Sequence, residues 1–148
     1  GSCRICFRVG RSAYRHDGWI RRNQEEGEAR CWGLGHRNLE KGFQFLKNQL
    51  KTLKPGGWSV HTTEYNISSN DETQENNNTV IYRQRDIEQI VHELRSEGHF
   101  VEEVSFALGG LPEDFMVDTE PHLQKVHLNL QVDKYVVTSI GLIIQKKT

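Results

Sequence analysis

Residues 39–66, LEKGFQFLKNQLKTLKPGGWSVHTTEYN, decide the fold class, because they read as a helix, an abrupt stop and a strand. Leu39, Phe43, Leu46, Leu50 and Leu53 recur at alternating spacings of four and three, which draws one apolar stripe along a helix. Asn38 suits the N-cap, where a short polar side chain accepts from a free backbone N–H, and Glu40 suits the positive end of the helix dipole. Lys51 and Lys54 suit the negative end, and Pro55-Gly56-Gly57 cannot continue the helix. Trp58 to Tyr65 is rich in β-branched and aromatic residues, which fit the pleated surface of a sheet.

Working outward toward the C-terminus, residues 66–78 contain a single apolar residue and predict a solvated loop, a candidate lid. A short TVIY stretch follows. Ile87, Ile90, Val91 and Leu94 then share a helix face, with Gly98 as its stop. Residues 99–106 predict a strand and 107–122 a loop. Val126, Leu128, Leu130 and Val132 alternate with polar residues, Asp133-Lys134 allows a turn, and YVVTSIGLIIQ is the most apolar strand. Its near-continuous character predicts burial on both sides, in the middle of a sheet with helices on both faces. The order helix, strand, helix, strand, strand is that of an α/β fold.

The 148 residues suffice for one core, and 35% hydrophobic with 26% charged residues excludes a disordered or collagen-like chain. No apolar run approaches the roughly 20 residues of a membrane span, and no secretion signal opens the sequence, so no membrane partner is expected. Three cysteines are too few for a disulfide scaffold, which points to a reducing, cytoplasmic setting. A net charge of −1 excludes a broadly basic nucleic-acid binder, so no nucleic-acid partner is expected. The average hides a break. Residues 1–37 hold eight Arg against four acidic residues, a charge of +4, with no Lys and all three Cys. Residues 38–148 hold eight Lys and three Arg against 16 acidic residues, a charge of −5. The first segment has no usable periodicity. It reads as an irregular Arg/Cys-rich arm, either poorly ordered or translated out of frame, ahead of a partial α/β domain.

Residues 34–148, and the 39–66 run above all, resemble the second half of a class I S-adenosylmethionine-dependent methyltransferase. In that family an amphipathic helix ending in L-K-P-G-G, here Leu53 to Gly57, feeds a central strand. A further helix and strand follow, then a closing strand that enters the Rossmann-like sheet antiparallel, as SIGLIIQKK resembles. The resemblance implies methyl transfer from S-adenosyl-L-methionine to an acceptor that these residues do not name. It also implies a cofactor-binding Glu-His pair before the helix, of which His36 alone is matched, Gly35 standing at the other position. The family's Gly-rich cofactor loop and acidic strand end have no counterpart; Gly33-Leu34-Gly35 has no strand before it on this reading. The chain therefore reads as a truncated C-terminal part with the N-terminal half missing, and weak or no cofactor binding is expected.

The carboxyl ends of parallel strands are where ligands sit in such sheets. His61 and Glu64 are the candidate catalytic bases, since transfer to oxygen or nitrogen often requires a proton to be removed. Asn66, Tyr82, Arg83 and Arg85 are the candidate substrate-binding residues, the two Arg as holders of a carboxylate or phosphate, with Asp86 as a helix N-terminal charge. A second reading gives Cys3, Cys6, Cys31 and His36 a tetrahedral zinc site in a small nucleic-acid-binding arm. A third makes the chain a non-catalytic α/β interaction module, self-associating through the 58–65 strand if its parallel neighbour is lacking.

Overall fold

The computed structural model describes residues 30–33, 38–75, 79–124, 126 and 128–148. Cys3, Cys6 and His36, and with them the zinc set and the matched cofactor histidine, lie outside the described residues. Eight regular elements follow one another: β1 (Arg30–Gly33), α1 (Leu39–Thr52), β2 (Trp58–Asn66), α2 (Gln84–Ser96), β3 (Phe100–Val101), β4 (Val117–Asp118), β5 (Asn129–Val132) and β6 (Tyr135–Gln145). A 3₁₀ turn, Pro112–Phe115, precedes β4.

The helix and strand of residues 39–66 form as their sequence dictates. The Asn38 carboxamide oxygen accepts from the Lys41 N–H at 2.8 Å and caps α1. The stop is equally local: Gly56 takes a φ of +75°, and a Cβ on Gly57 would stand 2.9 Å from the Lys54 carbonyl oxygen. β1 and β2 are parallel neighbours joined through α1, and β6 runs antiparallel to β2 from Trp58↔Gln145 to Asn66↔Val137. β5 pairs with the start of β6 and β3 with its end, giving a six-stranded mixed sheet ordered β1-β2-β6-β5-β4, with β3 beside β6.

Several expectations are corrected. β1 comes from the segment read as an irregular arm, so Gly33 does end a strand; four residues are too short to display alternation. The predicted free edge of β2 does not exist, because β1 takes its first half and the Tyr82 N–H and C=O bond to Glu64 and Asn66 beyond it. The strand expected over 99–106 is confined to Phe100–Val101, and the loop expected over 107–122 contains the 3₁₀ turn and β4. Among the described residues, the helices do not cover both faces. Phe43, Leu46 and Leu50 of α1 and Ile87, Ile90, Val91 and Leu94 of α2 share one core with Ile140, Leu142 and Ile144. Those alternate β6 positions lie on one side of the sheet. The other side carries Thr62, Glu64, Ser139 and Gly141, the last three exposed. β6 is central in the sheet yet buried on one face only along this stretch, where Ser139 and Gly141 replace aliphatic residues.

The two helices are also tied to each other. Lys47 bonds Glu93 at 2.8 Å and Glu97 at 3.0 Å, which raises the lysine pKa and lowers that of Glu93. A second, small cluster of Ile81, Tyr135 and Val137 closes the open face near the start of β6.

Candidate functional site

The carboxyl end of β2 is the natural ligand position in this topology, and a shallow cleft of about 170 Å³ opens there. Tyr65 of β2, Thr138, Ser139 and Ile140 of β6, Asn129 of β5 and the 105–109 loop line it together with Asp114 and Leu128. Glu64 stands opposite Ser139 in the ladder, on the open face of the sheet. The residue is exposed on that face, yet the surrounding sheet buries its carboxyl enough to hold its pKa above the ordinary carboxylate value. A carboxylate with raised pKa beside a strand end is a chemically competent proton acceptor.

His61 is not placed to act on a substrate. It lies on the face beneath the helices, fully buried, with its Nε2 2.5 Å from the Ser59 hydroxyl. That hydroxyl in turn donates to the Gln49 side-chain oxygen at 2.7 Å, so the histidine belongs to a polar link between α1 and β2. With Ser59 donating to Gln49, Nε2 carries the imidazole proton and donates to Ser59. Burial lowers the His61 pKa to about 4. At neutral pH the ring is uncharged and enclosed, a structural polar group rather than a base.

The four predicted substrate residues are likewise spent inside the fold. Asn66 is buried; its oxygen accepts from the Ser68 and Ser69 N–H groups at 3.0 Å, and its amide donates to the Glu72 carbonyl at 3.1 Å. It builds an Asx-type turn that starts the polar loop. The loop is not a free lid: the Thr73 hydroxyl donates to the Ile81 carbonyl, and Lys134 bonds Glu72 at 2.6 Å. Tyr82 has no exposed surface and stacks 5.7 Å from Phe43, its phenol pKa pushed up by burial and by the Asp86 and Glu75 charges. Arg83 grips Asp86 through two nitrogens at 2.7 and 2.8 Å and donates to the Asp71 carbonyl at 2.9 Å. Arg85 donates to the same carbonyl at 2.9 Å. The two guanidinium groups fasten the loop to the start of α2 instead of forming an anion cradle. Asp86 does sit at that helix start, accepting from the Arg83 N–H at 2.9 Å.

Sequence reasoning missed the cleft's other wall. Asn129 is buried and donates to the Asp114 and Met116 carbonyls at 2.7 and 3.2 Å, fixing the turn that borders the cleft. The only sequence signal is an asparagine at the start of an alternating strand. Cofactor capacity is limited. Ligand pockets span about 300–1,000 Å³, so a cleft of about 170 Å³ does not fit S-adenosylmethionine. Among the described residues no cluster of His, Cys, Asp or Glu is arranged to hold a metal ion, and no helix is long and apolar enough to cross a membrane. In comparisons with known proteins, no family model and no curated protein matches the chain.

Proposed function

We propose that the chain forms the C-terminal half of an S-adenosylmethionine-dependent methyltransferase-type sheet. The observation that carries this reading is the strand arrangement: a parallel β1–α1–β2 crossover whose second strand is bordered by a long antiparallel closing strand, β6. The LKPGG stop between α1 and β2 adds to it. The uncovered sheet face, with Thr62, Glu64, Ser139 and Gly141, is where covering elements of a complete domain would pack. In such a reaction the cofactor supplies the methyl group, and the protein aligns the acceptor and excludes water. In a complete domain that held the cofactor, Glu64 would take the acceptor's proton, and His61 holds α1 to β2.

The cleft does not fit the cofactor, so calorimetry on this chain is expected to show no S-adenosylmethionine binding, and micromolar affinity would contradict that. The reading itself is tested on the coding DNA. An upstream or shifted frame is expected to encode a strand, a Gly-rich turn and an acidic strand end, and the joined protein is expected to bind the cofactor. In that protein Glu64→Gln should slow methyl transfer by about 10²–10⁴-fold. Absence of such a frame, or a joined protein that does not bind, would overturn the proposal.

A second reading, a non-catalytic module that pairs with another chain, is favoured by Trp58 and Phe100. Both are exposed, and their rings meet edge to face at 6.0 Å. A concentration-independent monomer in sedimentation would count against it.

A further inference from the structure

The segment between β3 and β5 differs from the rest of the molecule in what it shows to solvent. Leu108, Leu111, Phe115 and Met116 are exposed there, Leu111 at 65% and Phe115 at 61%; Leu108 and the exposed Leu128 line the cleft, and Leu111, Phe115 and Met116 flank Asp114, which lines it too. Isolated exposed apolar residues are ordinary, whereas a group gathered at a cleft and the turn beside it marks a contact surface. Residues 102–121 also contain six acidic residues and no Lys, Arg or His. Glu113 and Asp114 lie inside the apolar group, on the 3₁₀ turn that carries Phe115.

This surface is held in shape. One Asp114 carboxylate oxygen accepts from the Leu111 N–H at 2.9 Å, and Asn129 holds the Asp114 and Met116 carbonyls from below. Gly109 lies so close that a Cβ there would collide with the Asp114 carboxylate. A fixed apolar platform loses little freedom on binding, which favours affinity.

We propose that the surface formed by Leu108, Leu111, Phe115, Met116 and Leu128 with Glu113 and Asp114 is a docking site for a basic amphipathic polypeptide segment. An apolar side chain of that segment enters the cleft lined by Phe106, Leu108 and Leu128, and Lys or Arg side chains on its flanks meet Glu113 and Asp114. Charge complementarity selects this occupant: the same acidic surface repels nucleic-acid phosphates and anionic lipid headgroups. The proposal goes beyond methyl transfer and does not depend on it.

The test is fluorescence anisotropy on the full chain with a labelled amphipathic peptide of about 18 residues, built from Leu and Lys, beside a Leu/Glu peptide of the same pattern. The Leu/Lys peptide is expected to bind, more weakly as salt rises, and the Leu/Glu peptide not to bind. The double variant Leu111→Ser, Phe115→Ser should weaken binding at least about tenfold while its circular dichroism melt stays that of the parent. Glu113→Lys should weaken it with the apolar residues intact, and Phe100→Ser, outside the surface, should leave it unchanged. Equal binding of both peptides, no binding of either at about 100 μM, parental affinity in the double variant, loss in Phe100→Ser, or a preference for phosphatidylserine vesicles would each overturn it.

Discussion

The two faces of the sheet are made by the same strands, residue by residue, and they have opposite characters. On one side His61, Leu142 and Ile144 are at most 1% exposed beneath α1 and α2. On the other, Glu64, Ser139 and Gly141 are exposed in the same strands. The period of two along a strand is what allows this, since each step crosses the sheet. The difference separates stability from contact: the covered face holds the fold together, and the open face and the adjoining 102–121 surface are free for other matter.

The contrast should be sharpest in stability. Leu142→Ala is expected to cost about 2–5 kcal/mol through the cavity it leaves, whereas Ser139→Ala, three residues away on the other face, should change stability by less than about 0.5 kcal/mol. Urea unfolding midpoints at constant slope measure both. Acid should act on the covered face next. The folded His61 pKa is about 4, below the ordinary histidine value of 6.5, so between these values the unfolded chain binds more protons and stability rises as pH rises. The contribution is complete above about pH 6.5, and about 3 kcal/mol is lost as pH falls through 4. His61→Asn should flatten that part of the pH–stability curve.

Loop and cap residues give smaller effects. Arg83→Ala is expected to cost about 1.5–3 kcal/mol, because it strips the buried Asp86 carboxylate of its two guanidinium bonds. Faster amide exchange in residues 68–75 should accompany it, since the Asp71 carbonyl loses a donor. Asn38→Ala removes the α1 cap alone and should cost about 1 kcal/mol, read from the thermal midpoint.

These predictions also mark what the sequence could and could not reveal. The α1 stripe, its Asn38 cap, the Pro-Gly-Gly stop, the α2 stripe and β6 were legible because each is a local pattern repeated over many residues. The turn before β6 was legible too, Asp133 taking the positive φ of 53° that its position requires. β1 was not, since RCWG is too short to alternate. β3 is short because the chain leaves β6 just past Val101, the Glu102 N–H still donating to the Ile143 carbonyl at 2.9 Å. The site was harder still. Arginines at a helix start look like anion holders until Asp86, three residues on, is seen to occupy Arg83. A histidine in a strand looks like a base until the parity of 59, 61, 63 and 65 places it beneath α1 beside Ser59 and Gln49. One-dimensional pattern identifies a residue's chemistry, but its partners are set by which face it joins.

The most direct test of the two-faced sheet is thiol labelling in a background with Cys3, Cys6 and Cys31 changed to Ser. Ser139→Cys is expected to react at nearly the rate of a free thiol, and Leu142→Cys only as fast as the fold opens. Protection of both positions would mean that the open face is covered, and rapid labelling of both would mean that the helix-covered core is not formed; either result would contradict the account.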